Sequence, residues 1–114
     1  MDSKTTIKQL KSKVKSFCEE RDWDQYHNAK DLAIGIITEA AELLEHFRFQ
    51  PDGILLSKKN EIVEEISDIF YFLLRFAQKY DIDLSSALAN KLKINRSKYP
   101  IAKCKGSNKK YTEL

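Results

Sequence analysis

The chain has 114 residues, 42% of them hydrophobic and 32% charged, with a formal net charge of +3. That length suits one domain with a modest core, and three Gly and two Pro leave little turn material for an all-β fold, so a single all-α domain over residues 1–114 is expected. No apolar run reaches the roughly 18 residues of a membrane span, Met1–Lys11 lacks the apolar stretch of a secretory signal, and Cys18 and Cys104 have neither zinc-knuckle nor disulfide-framework spacing, all of which fits a soluble cytoplasmic protein.

A first amphipathic helix is predicted over Thr5–Arg21, where Ile7, Leu10, Val14, Phe17 and Cys18 recur at spacings of three and four. Asp22–Asn28 then alternates aromatic and polar residues and reads as a loop. A second helix is predicted from about Lys30 to Phe49, ending at the turn residues Gln50-Pro51-Asp52-Gly53. The third follows Ser57 as N-cap and runs to about Tyr80. A last helix spans Leu84–Lys98 and stops before Pro100. Residues 102–114 remain as an irregular basic tail carrying Lys103, Lys105, Lys109 and Lys110. The expected architecture is a four-helix bundle.

Placing residues at about 100° intervals gathers Leu32, Ala33, Ile36, Ile37, Ala40, Leu43, Leu44 and Phe47 of the second helix into one apolar arc. Glu39 lies at the edge of that arc, Glu42 farther round, and Glu45 on the opposite, solvated side. On the third helix Ile62, Val63, Ile66, Ile69, Phe70, Leu73, Leu74 and Ala77 form the arc, and Glu61, Glu65, Asp68 and Phe72 share the adjoining stripe. Like charges at these spacings repel, and no Lys or Arg is interleaved before Arg75 and Lys79. The short link between the helices favours antiparallel packing, which lets Glu39/Glu42 face Glu65/Asp68. Carboxylates without nearby Cys suit Mg²⁺ or Mn²⁺, ions that keep positions open for water and substrate phosphates.

A single acidic pair of this kind is ordinarily a solvated helix face; two pairs on consecutive helices, each bordering the apolar arc, point to metal. A di-iron carboxylate bundle requires two E-x-x-H motifs, whereas His46 stands four residues after Glu42 with no other His nearby, and no P-loop motif occurs. The rival of a different class is a non-catalytic helical module that binds nucleic acid through its basic tail.

Five blocks in order, Glu20–His27 (ERDWDQYH), Glu39–Leu43 (EAAEL), Glu64–Ile69 (EEISDI), Lys93–Pro100 (KINRSKYP) and Lys110–Leu114 (KYTEL), resemble the all-α nucleoside triphosphate pyrophosphohydrolases of the MazG-like superfamily, especially the dCTP pyrophosphatase branch. The family's E-x-x-E and E-x-x-D signature falls on Glu39, Glu42, Glu65 and Asp68. The resemblance implies Mg²⁺-assisted attack of water on the α-phosphorus, giving a monophosphate and pyrophosphate, and a dimer-of-dimers tetramer. It assigns the base to Trp23, His27, Phe49 and Phe72. Lys91, Asn95 and Lys98 share one face of the last helix and, with Tyr99 and Lys30, are expected to meet the triphosphate. Phe49 stands where the branch has Trp, Phe72 where it has Tyr, and Ala29 and Asp31 where Pro and Asn are usual, so the departures touch base preference and spare the acids. A phosphoribosyl-ATP or dUTP substrate stays open within the superfamily.

Overall fold

The computed structural model describes residues 1–114, which form helices and turns with no strand. Two compact units divide the chain, Met1–Ile82 and Asp83–Leu114. In the first, helix α1 (Ile7–Glu20) starts at a capping box: Thr6 Oγ1 accepts from the Gln9 amide at 3.1 Å and Gln9 Oε1 accepts from the Thr6 amide at 2.9 Å. The connection to the next helix contains a 3₁₀ turn, Asp24–Tyr26, within the stretch read from sequence as loop. Helix α2 (Ala29–Glu45) is capped by Asn28, whose side chain accepts from the Asp31 amide at 2.9 Å.

The predicted end of the second helix and the predicted start of the third both shift. Helix α2 ends at Glu45, four residues before the expected Phe49, which adopts a positive φ of 58° in the following turn. Ser57 is not a cap: it closes a four-residue helix, α3 (Ile54–Ser57), and its hydroxyl donates back to the Ile54 carbonyl at 3.0 Å. Gly53, with φ of 85°, is what lets the chain turn into α3. Helix α4 (Lys59–Lys79) begins after Lys58 without a side-chain cap, with Glu61 in its first turn, where the helix dipole favours an acid. That placement accounts for Glu61 without a ligand role.

Helices α1 and α2 both pack on α4. The pairing of Cys18 with Tyr71 and of Lys11 with the Ile82 carbonyl sets α1 antiparallel to α4, and Gly35 against Phe72 with His46 against Glu65 does the same for α2. The seams bury Cys18, Leu32, Ile62, Leu74 and Ala77, each large aliphatic contributing about 1.5–3 kcal/mol. The predicted arcs are wider than the seams. On α2, Ala33, Ile37, Ala40 and Leu44 stay exposed, as does Phe47 just beyond its end, and on α4 Val63, Ile66, Phe70 and Leu73 are 40–52% exposed. Periodicity marks every apolar position, whereas within one chain each helix has only the partners this unit supplies.

In the second unit, α5 (Leu84–Lys98) has the predicted bounds, capped by Asp83 accepting from the Ser86 amide. The tail is less irregular than expected, holding helix α6 (Ile101–Cys104) and a 3₁₀ turn at Tyr111–Glu113. Tyr111 folds back against Tyr99, ring centroids 6.0 Å apart, and under the Lys98 ammonium at 4.7 Å.

Candidate active site

Glycine at position 35 sets how closely α2 can lie on α4. A Cβ there would fall 2.5 Å from Phe72 Cε1, so the Phe72 ring lies against bare backbone. One turn further along α2, on the same seam-facing side, is Glu39. Its carboxylate joins those of Glu42, also on α2, and Glu65 on α4, with one ligand atom from each lying within 4.8 Å of the others. The sequence geometry had singled out these three.

Glu39 and Glu65 are half-buried and Glu42 is exposed. One oxygen of Glu39 and one of Glu65 are buried without a hydrogen-bond partner, an arrangement costly in a closed fold. Burial first, then a shared hydrogen bond with Glu42 and the charges of Glu42, Asp68 and Glu65, raise the Glu39 carboxyl from its ordinary 4.5 to about 7. No Lys or Arg side chain pairs with the cluster; its neighbour is the His46 imidazole, whose Nε2 lies 3.4 Å from Glu65 Oε1. Orphaned carboxylate oxygens crowded together fit a hard divalent cation, which supplies the charge they lack. Glu39, Glu42 and Glu65 would hold it.

Asp68, one turn beyond Glu65, is exposed and lies outside that trio, although its charge reaches Glu39. Its side chain lines a cavity of about 430 Å³ together with Lys13, Val14, Phe17, Trp23 and Tyr71. Phe17 meets Trp23 edge-on at 5.7 Å and Tyr71 edge-on at 6.0 Å, and the Tyr71 hydroxyl sits 3.1 Å from Cys18 Sγ. Burial, then the adjacent thiol, push the Tyr71 phenol well above its usual range, so it remains neutral. The cavity is thus mostly apolar, with an acid at one side and a lysine at another.

The structure places the other sequence candidates differently. Trp23 is a cavity wall. His27 lies beside it, ring centroids 6.4 Å apart, with Nδ1 accepting from Arg75 Nε at 2.9 Å. Phe72 fills the α2–α4 seam and meets Tyr71 edge-on at 5.0 Å. Phe49 is 91% exposed beneath the Arg48 guanidinium, and Lys30 is exposed in the first turn of α2. Lys91, Asn95 and Lys98 lie on α5 and Tyr99 caps its end, all in the second unit. Glu45 is solvated and pairs with Arg48 at 3.3 Å. Sequence reasoning missed the cavity residues Lys13 and Tyr71, and the contact of His46 with Glu65. Arg75 carried a readable signal, a charge set in the apolar run Phe72–Ala77, since charged residues are buried almost only when paired.

An all-helical chain whose two packed helices bring Glu39, Glu42 and Glu65 together offers a candidate site for a divalent cation. Comparison with known proteins gives the chain a family. Residues 34–114 match the MazG-like family. Over 96% of its length the chain is 32% identical to dCTP pyrophosphatase 1 of Homo sapiens, covering 68% of that protein. It is 32% identical to dCTP pyrophosphatase 1 of Bos taurus, over 98% of this chain and 70% of the relative. A crystal structure of a pyrophosphatase from Archaeoglobus fulgidus superposes with a TM-score of 0.79 at 33% identity, covering 82% of this chain and 92% of the other. The chain belongs to the MazG-like family, and it is a nucleoside triphosphate pyrophosphohydrolase.

Proposed function

We propose that the chain cleaves the α–β phosphoanhydride of dCTP or a modified pyrimidine deoxynucleoside triphosphate, releasing the monophosphate and pyrophosphate, with Mg²⁺ as the working ion and Mn²⁺ as a substitute. The observation that carries this reading is the Glu39–Glu42–Glu65 cluster with its two partnerless buried oxygens. The substrate class is supported by the dCTP pyrophosphatase relatives, and the role is removal of unwanted nucleotides from the cytoplasmic pool.

Glu39, Glu42 and Glu65 would hold the ion, with Asp68 as the fourth acid of the proposed set; when bound, the ion would neutralise phosphoryl oxygens and lower the pKa of water. A carboxylate of the cluster accepts the proton of the attacking water. The cavity between Trp23 and Tyr71 takes the base, since its lining is mostly apolar and its aromatic side chains suit a planar ring. His27, which lies beside Trp23, belongs to the same base-recognising set; Phe49 and Phe72, which the resemblance adds to it, stand on an exposed turn and in the α2–α4 seam, and Lys30, Lys91, Asn95, Lys98 and Tyr99 are assigned to the triphosphate by their charge and donor groups. Residues 1–114 act as one functional domain, and four copies assemble as a dimer of dimers. The half-exposed Val63, Ile66, Phe70 and Leu73 of α4 and the exposed Ile37 and Leu44 of α2 supply the apolar surface for that assembly.

Pyrophosphate release from a panel of standard and modified NTPs and dNTPs with Mg²⁺ tests the proposal, alongside Glu42→Gln and Asp68→Asn. Each variant removes charge worth several kcal/mol at the transition state, about 100-fold or more in rate. Absence of turnover on every triphosphate, or full activity in both variants, refutes it. Release of inorganic phosphate and a diphosphate refutes the bond assignment.

A further inference from the structure

The polar network between the Asp22–Asn28 connection and the C-terminal half of α4 has no part in the acid cluster, and it holds the most deeply buried charge in the protein. Arg75 is 1% exposed. Its Nη2 donates to Asp24 Oδ1 at 2.6 Å, its Nη1 to Gln78 Oε1 at 2.6 Å and its Nε to His27 Nδ1 at 2.9 Å. Lys79 adds a second tether, its ammonium donating to the Asp24 carbonyl at 2.8 Å and to Asp24 Oδ1 at 3.0 Å. Two residues of the connection, Asp24 and His27, are therefore tied to α4 on the C-terminal side of Trp23. On the N-terminal side the Trp23 amide bonds the Cys18 carbonyl at 3.0 Å.

Folding alone does not require a guanidinium at this position. Buried ion pairs are often replaced by apolar side chains of similar size at no loss of stability, and Asp24 is 61% exposed, so it stays solvated when unpaired. What the planar fork alone provides is three acceptors fixed in register. Because arginine only donates, the His27 Nδ1 that accepts from it carries no proton, which leaves a neutral ring with its hydrogen on Nε2.

We propose that Arg75 is a positioning residue for nucleotide binding: by clamping Asp24 and His27 to α4 it holds the Trp23 indole as a wall of the cavity beside Asp68 and keeps His27 as the Nε2–H donor tautomer. This rests on the reading of that cavity as the base site. Burial first, then the charges of Arg75 and Lys79, hold the His27 imidazole below its usual range while Asp24 opposes them, in keeping with a ring that stays neutral at physiological pH.

The chain has one Trp and two His, so fluorescence reports on this wall alone and nitrogen NMR resolves the imidazoles easily. The test titrates wild type, Arg75→Met, Arg75→Lys and Asp24→Asn with non-hydrolysable α,β-methylene dCTP, followed by Trp23 emission, together with steady-state kinetics and ¹⁵N spectra of the histidines. Binding is expected to weaken about 10-fold or more in both Arg75 variants, as misplacement of a contact wall does, with a smaller loss in Asp24→Asn. The loss should appear in KM with kcat changed less than about threefold. His27 should pass from a single Nε2–H form to a mixture, a signature that loss of stability alone does not produce. If Arg75→Met fails to fold, Arg75→Lys and Asp24→Asn decide the matter. Wild-type affinity in the folded variants overturns the assignment of Arg75 while leaving the base site intact. A wild-type Trp23 signal indifferent to the analogue, in an enzyme that turns over, overturns both.

Discussion

Gly35→Ala offers a sharp test of the packing that brings the acids together. In the interior of a helix this change ordinarily stabilises by about 0.8–1 kcal/mol through backbone entropy. Here the new methyl would meet Phe72 at 2.5, 2.6 and 2.8 Å, far inside van der Waals contact. The ring cannot simply swing aside, because it is wedged between α2 and Tyr71, whose ring centroid is 5.0 Å away. Overpacking of this sort costs about 1–3 kcal/mol, so the net expectation is destabilisation of up to about 2 kcal/mol. For a domain of this size that lowers Tm by roughly 4–8 °C per kcal/mol, measured by circular dichroism at fixed protein concentration. Gly35 is one turn from Glu39, so spreading the helices should also weaken Mn²⁺ binding, read by electron paramagnetic resonance. Gly35→Ala combined with Phe72→Leu should recover part of both losses. A Tm that rises in Gly35→Ala, as propensity alone dictates, would refute the claim that this contact sets the α2–α4 spacing.

Glu39 gives a pH signature. Its carboxyl holds a proton more tightly folded, at about 7, than unfolded, at 4.5, so the stabilising effect of that proton is full below the unfolded value and fades as pH rises through this window. In chelator the fold should therefore lose stability between about pH 5 and 8, and Glu39→Gln should flatten the slope in thermal melts; an unchanged slope contradicts the assignment. Divalent-ion affinity should run the opposite way, strengthening as pH rises, because the ion competes with that proton. His46→Leu removes the partner of Glu65 and should weaken Mn²⁺ binding about 10-fold, with wild-type affinity as the refuting result. Thr6→Ala deletes the α1 capping box and should cost about 1 kcal/mol, seen as a lower urea midpoint at unchanged m.

Much of the site was legible because a helix converts spacing into direction. Glu39 and Glu42 are three residues apart and border an apolar stripe, as Glu65 borders another, and any antiparallel docking of those stripes brings the acids near one another. Asp68 shows where the approximation ends: it shares a stripe with Glu65, yet one further turn carries it to the cavity side of α4, into a lining with Phe17 and Trp23. Phe49 shows the other failure, since a wheel assumes that the helix continues and this one stops at Glu45.

The sequence by itself determined an all-helical chain, the bounds of α5, the family resemblance and the identity of the clustered acids, because these depend on local periodicity, capping and motif. Only the tertiary structure decided which part of each apolar arc became a seam, that Phe72 lies on Gly35, that His46 reaches Glu65 and that Arg75 ties His27 and Asp24 to α4. Those contacts join residues 19 to 51 positions apart, and no spacing rule along one helix can specify where a second helix places its side chains.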